Sequence, residues 1–218
     1  MIHPTAVIAE GAELADNVEI GAFTLVHEGA RLGNGAVVAS HCSIGEPTAL
    51  AHGSPLVLGA GCLIRSHTVI YAGSTFEDGL ETGHHVTIRE RVTAGPNLRV
   101  GTNADVQGDA LFGRYVRLHS GVQVHKGSTV GDFVWIFPGA VLTNDPHPPS
   151  DIAFGGPIVE EFAVIAATAC IAPGVRVGAR SLVAASSMVT RDVEPDTVVM
   201  GSPARPVGPT SGLSLIHI

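Results

Sequence analysis

The stretch ETGHHVTIRE, residues 81–90, sets His84 and His85 side by side ahead of a short apolar strand, and RLHSGVQVHKG and TNDPHPP add His119, His125 and His147. Imidazole changes charge near neutral pH, so a histidine held beside a weak nucleophile can accept the proton released as that nucleophile attacks. Two further groups help such a base: a neighbour that fixes its tautomer and a donor for any developing oxyanion. His85, Asn103 or Glu81 could orient the His84 ring, and a backbone amide in a glycine-rich turn could serve the oxyanion. The residues alone leave that choice open.

Charge narrows the ligands. Formal net charge is −8, and Lys126 is the single lysine, so arginine supplies nearly all the positive charge. A nucleic-acid surface needs a clustered basic patch, which the chain lacks. Arg89, Arg91, Arg114 and Arg117 lie near the histidines and read either as a local anion site or as solvated strand-edge residues. Cys42, Cys62 and Cys170 form no CxxC pair, so they read as buried apolar thiols rather than a disulfide framework or zinc ribbon. The amino end lacks the pattern of a signal peptide, and no apolar run is long enough for a membrane helix. A cytoplasmic protein with no membrane or nucleic-acid partner is expected.

The elements that must position these side chains repeat every six residues. Ile20, Val26, Leu32, Val38 and Ile44 open the series. It resumes from Leu58 to Leu142, with Thr82 and Ala94 out of character, and runs again from Ile165 to Val189. A second small or apolar residue stands two positions before many of these, as in Val86, Val116 and Val134, and glycine often follows, as in Gly101 and Gly131. Such a period is neither a helical stripe nor a plain strand alternation. It predicts short parallel strands joined by tight turns, each strand pointing one aliphatic side chain inward. The 27 glycines and few aromatics agree with that economy.

With this period the sequence resembles the hexapeptide-repeat acyltransferases. Their fold is an all-β, left-handed parallel β-helix with three strands, hence 18 residues, per coil. The resemblance covers roughly residues 2–207, and it implies one domain over 1–207 with a short carboxyl-terminal cap. Two Pro- and Gly-rich loops, 46–55 and 143–157, project from it. The prolines beside Arg205 should end the ladder, and residues 208–218 read as a flexible or appended tail. Residues 18 apart should stack about 4.8 Å from one another. His85 then falls between His67 and Asn103 in a polar column, and His84 between Ser66 and Thr102.

The motifs GHHVTIRE, VRLHSGV and GAVLTNDPHPPSD occur in the order found in the nucleotide-linked amino-sugar N-acetyltransferases of this fold. That resemblance implies acetyl-coenzyme A as co-substrate, no metal, and a homotrimer whose sites lie in the crevices between subunits. His84, four residues before the inward Ile88, matches the position of the family's general base. His119, near the same edge, and His147, in the projecting loop, are the competing bases. His85 and Asn103, with Asn144 and Asp145 contributed across the crevice, are the implied contacts to the sugar. The segment IAPGVRVGARSLVAASSMVTRDV and the following VVMGSPARPV are similar to the stretch that lines the coenzyme A groove, which nominates Ala166, Ala184 and Arg205. His147 as base would instead suit an O-acetyltransferase acting on a hydroxyl. A γ-class carbonic anhydrase needs two histidines five apart, whereas His119 and His125 are six apart, and a non-catalytic scaffold would bind no coenzyme A.

Overall fold

Parallel pairing joins each short strand to the one a coil away, as in Glu81↔Arg99, Thr87↔Asp105 and Thr93↔Leu111. The computed structural model describes residues 1–146 and 155–212. Among the described residues the strands form three sheets of ten, nine and eleven members, the three faces of a prism. Following the chain, strand Thr87–Ile88 lies on the first face, Thr93–Ala94 on the second and Arg99–Val100 on the third.

A two-residue strand suffices because its two side chains divide the labour. In Arg99–Val100 and Arg117–Leu118 the first residue faces solvent and the second is buried, the ordinary alternation of a strand. The inward positions are those of the six-residue series, and the second small residue of each turn, such as Val86 or Val116, is fully buried beside them. Each such aliphatic chain stabilises the fold by roughly 1.5–3 kcal/mol. Thr82 and Ala94, irregular in the series, still point inward and are buried. The Thr82 hydroxyl is satisfied there, accepting a hydrogen bond from the Arg65 amide at 3.1 Å.

The first loop contains a 3-10 turn, Ala49–Ala51, whose N-cap Thr48 accepts from the Leu50 amide. Of the second loop, residues 147–154 lie outside the described residues. At the carboxyl end Thr197–Gly201 joins the third face and pairs antiparallel with Ala204–Pro209. Of the prolines around Arg205, Pro203 lies in the hairpin turn, while Pro206 does sit in a strand, in contrast to the expectation that both would end the ladder. That strand is the outermost of its sheet, where a missing amide costs no ladder bond, and it covers the edge that the last coil would expose. Ordered structure continues through a 3-10 turn at Thr210–Gly212, beyond the boundary expected at residue 207. Residues 213–218 lie outside the described residues.

Cys42 and Cys62 are buried free thiols and Cys170 is half-buried. Burial pushes all three thiols above their ordinary range, disfavouring the reactive thiolate. Among the described residues no helix is long and apolar enough to cross a membrane.

Candidate active site

Successive coils place His84 and His119 in one open groove of about 350 Å³. Its floor is the third face at strands Glu81–Thr82, Arg99–Val100 and Arg117–Leu118, and its wall is the corner leading to the first face. Two glycines shape that corner. A Cβ on Gly83 would stand 2.3 Å from the Thr102 amide nitrogen, and one on Gly101 would stand 2.4 Å from the His119 carbonyl carbon. The next coil approaches too closely for any side chain. Consequently no side chain fills the column between Arg65 and His119.

The His84 ring is exposed, and its Nδ1 lies 2.8 Å from the Ser66 hydroxyl one coil below. Its backbone amide donates to the Thr102 hydroxyl at 3.2 Å. Both neighbours are those that the 18-residue step predicts. Nε2 has no hydrogen-bond partner among the described residues, and His84 is part of the groove lining. His119 is held differently: its ring stacks on Phe137 at 4.9 Å and meets Trp135 edge-on at 6.4 Å.

Three guanidiniums and one carboxylate line the same groove. Glu81 Oε1 is 2.9 Å from Arg65 and Oε2 is 3.3 Å from Arg99. Arg117 has no carboxylate partner among the described residues, and its guanidinium lies over the Trp135 ring at 5.1 Å. Of the four arginines singled out in the sequence, only Arg117 reaches the groove. Arg89 pairs with Glu90, Arg91 with Asp109 and Arg114 with Asp132. Arg65 and Arg99, which complete the basic lining, escaped the sequence reading. The signal existed, since Glu81, Arg99, Arg117 and Trp135 follow one another at 18-residue steps on outward strand positions.

The candidate orienters of His84 resolve in favour of Ser66. The Glu81 carboxylate is occupied by arginines, and the His85 ring turns away to stack on His67 at 4.6 Å. Behind His67 the column continues through His41 and Phe23, at 5.0 and 5.1 Å. All four residues hold the left-handed backbone conformation, with φ between 54° and 61°. That region disfavours residues with a Cβ, and the stacked rings offset its cost. Asn103 follows in the column with φ 57°, its amide donating to the His84 carbonyl at 2.9 Å. Neither His85 nor Asn103 lines the groove. The turn amides of Gly83 and Gly101 are bound to the carbonyls of Val100 and Leu118 at 2.6 and 2.7 Å, so they are committed to the ladder rather than to an oxyanion.

Asn144 and Asp145 belong to the corner between the first and second faces, away from the groove of the same chain. His147 lies outside the described residues. Ala166 and Ala184, both half-buried, continue the corner column of His119 and Phe137. Arg205 is exposed in the terminal hairpin, where with Val193, Thr197 and Val199 it lines a second, more apolar pocket. Among the described residues no three His, Cys, Asp or Glu side chains converge on a point that could hold a metal ion.

Comparison with known proteins places this geometry in context. No family model matches the chain. A Schizosaccharomyces pombe protein provisionally named an acetyltransferase is 35% identical over 86 residues, 36% of this chain and 42% of that protein. The 2,3,4,5-tetrahydropyridine-2,6-dicarboxylate N-acetyltransferase of Staphylococcus aureus is 44% identical over 77 residues, 35% of this chain and 31% of the enzyme. The matched stretch thus spans less than half of each of these relatives. Among solved structures, the Arabidopsis UDP-N-acetylglucosamine acyltransferase superposes with a TM-score of 0.76 at 16% identity, covering 99% of this chain and 78% of that one. The Campylobacter jejuni enzyme of the same name gives 0.55 at 22% identity, covering 96% and 75%. The chain is therefore a left-handed parallel β-helix of hexapeptide repeats, the fold of these acyltransferases.

Proposed function

We propose that the protein is an acetyl-coenzyme A dependent N-acetyltransferase acting on the amino group of a nucleotide-linked amino sugar, with His84 as general base. The observation that carries this reading is the His84–Ser66 contact. A ring whose Nδ1–H is donated to the Ser66 hydroxyl presents Nε2 as a lone-pair acceptor to the groove. As the acceptor amine attacks the thioester carbonyl, Nε2 takes its proton, and Ser66 keeps the imidazolium in register until the proton passes to solvent or to the departing thiolate. No covalent enzyme intermediate is needed.

The co-substrate supplies the activated acetyl group. Ala166 and Ala184, short side chains on the column beyond His119 and Phe137, suit a pantetheine arm lying close to the backbone. Arg205 offers an exposed guanidinium to a phosphate. The Staphylococcus aureus relative is named for transfer to nitrogen, and the structural neighbours are named for a UDP-linked sugar. As in the family it resembles, the chain works as a cytoplasmic homotrimer, with Asn144 and Asp145 of a neighbouring subunit beside His84.

The test is an acceptor panel of UDP- and dTDP-linked amino sugars beside their hydroxyl counterparts, with products identified by mass and by alkaline hydroxylamine. An amide product, stable to hydroxylamine and formed only from the amino sugars, is expected. A hydroxylamine-labile ester would move the reaction to oxygen and contradict the reading.

A further inference from the structure

Charge in the groove runs against the rest of the chain. The protein as a whole carries −8, yet Arg65, Arg99 and Arg117 face one carboxylate, Glu81, leaving the lining at +2. Arg99 and Arg117 are direct register partners on adjacent parallel strands, an arrangement of like charges that sheets ordinarily avoid. Glu81 relieves it only in part, by pairing with Arg99 and not with Arg117. Both its oxygens are engaged on the far side of Arg99, by Arg65 and Arg99 themselves.

Arg117 is also held in place. Its guanidinium lies over the Trp135 ring, and stacking on an aromatic face leaves the in-plane N–H donors free at the edge. Arg99 and Arg117 rise from adjacent strands, the first partly neutralised by Glu81 and the second without a carboxylate partner among the described residues, and their donors together suit a ligand with two or more anionic oxygens. The ladder opens beside His84 and His119.

We infer that Arg99 and Arg117 form an anion clamp that binds a multiply charged oxyanion of the acceptor and so sets which acceptors His84 can serve. This inference rests on the acyltransfer reading for its placement of the acceptor in the groove. Two sources share the required chemistry: the diphosphate of a nucleotide-linked sugar and the paired carboxylates of a dicarboxylic acceptor. Arg65, already bonded to Glu81 and to the Thr82 carbonyl at 2.8 Å, buttresses the clamp through Glu81.

Calorimetric titration with inorganic pyrophosphate and, separately, with malonate tests the clamp without any acyl chemistry. The full chain is compared with Arg99→Gln, Arg117→Gln, Arg117→Lys and the remote charge control Arg31→Gln. Saturable binding of at least one probe is expected, weakened about tenfold or more by Arg117→Gln, less by Arg117→Lys, and unchanged by Arg31→Gln. Tighter pyrophosphate binding identifies the diphosphate as the source, and tighter malonate binding identifies the dicarboxylate. Failure of both probes to bind, or wild-type affinity in both Gln variants, overturns the clamp. His84→Ala separates the two ideas: it should bind the probes as wild type does. If that variant also retained full acetyl transfer, the base assignment would fall while the clamp stood.

Discussion

The Ser66 hydroxyl stands 2.8 Å from Nδ1 of His84, one coil away. This bond makes Ser66 a positioning residue rather than a proton acceptor. Ser66→Ala should lower the rate of acetyl transfer about tenfold, the worth of one ring-orienting hydrogen bond, and change the pH dependence of the rate. Ser66→Thr should restore much of it. Initial rates across pH 5.5–9 check this, and a Ser66→Ala profile superimposable on that of the natural chain would refute it.

His85 belongs to the column of rings and not to the groove. His85→Asn keeps a residue that tolerates the left-handed conformation, as Asn103 does one coil on. Transfer should stay within about threefold of wild type while thermal stability falls modestly with the lost stacking, worth roughly 0.5–1.5 kcal/mol for an aromatic pair. A loss of turnover comparable to that of His84→Ala would place His85 in the chemistry.

Gly101→Ala should distort the groove from below. Its new Cβ would meet the His119 carbonyl carbon and the Ser120 amide, both at 2.4 Å. Backbone cannot rotate away as a side chain can, so the coils must part locally, at about 1–3 kcal/mol. Thermal unfolding should fall by several degrees and transfer should drop with it. An unchanged midpoint would show that the spacing between coils is softer than the register implies.

Stability should decline as the pH falls below neutrality. Desolvation, then the neighbouring imidazoles of His85, His41 and His84, lowers the pKa of His67 below its ordinary value. The unfolded chain therefore binds this proton first, and folding loses stability as pH drops from about 6.5 through the folded value. Asp109, Glu160 and Asp196 act further down the scale. Hydrogen bonds from Arg91, Arg176 and Arg180 hold their carboxyls below the usual range, so their contribution disappears as pH falls through those lowered values. Melting temperatures from pH 7.5 to 2 should fall in two stages, the first beginning below about 6.5 and smaller in His67→Asn, the second beginning below about 4. A midpoint independent of pH over that range would contradict both assignments.

Much of this architecture was legible in the sequence because one residue in six must be apolar and the coil repeats every 18. That spacing alone placed Ser66 and Thr102 against His84. The same step missed His41 and Phe23, since the loop between the strands at Ser43 and Val57 lengthens one coil and sets His41 26 positions before His67. Outward strand positions carry no periodic constraint, which is why Arg99 went unremarked although it sits in register with Glu81 and Arg117, and Arg65, just past strand Leu63–Ile64, stands at a corner position that is equally unconstrained. Asn144 stands three coils and one hexad beyond His84, which puts it at the next corner. Its meeting with His84 therefore requires a second subunit.

The most direct measurement is acetyl transfer by His84→Ala alongside its binding of acetyl-coenzyme A. The account predicts a fall in turnover of about 10²–10⁴-fold with co-substrate affinity and melting temperature unchanged. Turnover within a few fold of the natural chain would contradict it and move the base elsewhere, to His119 or to His147.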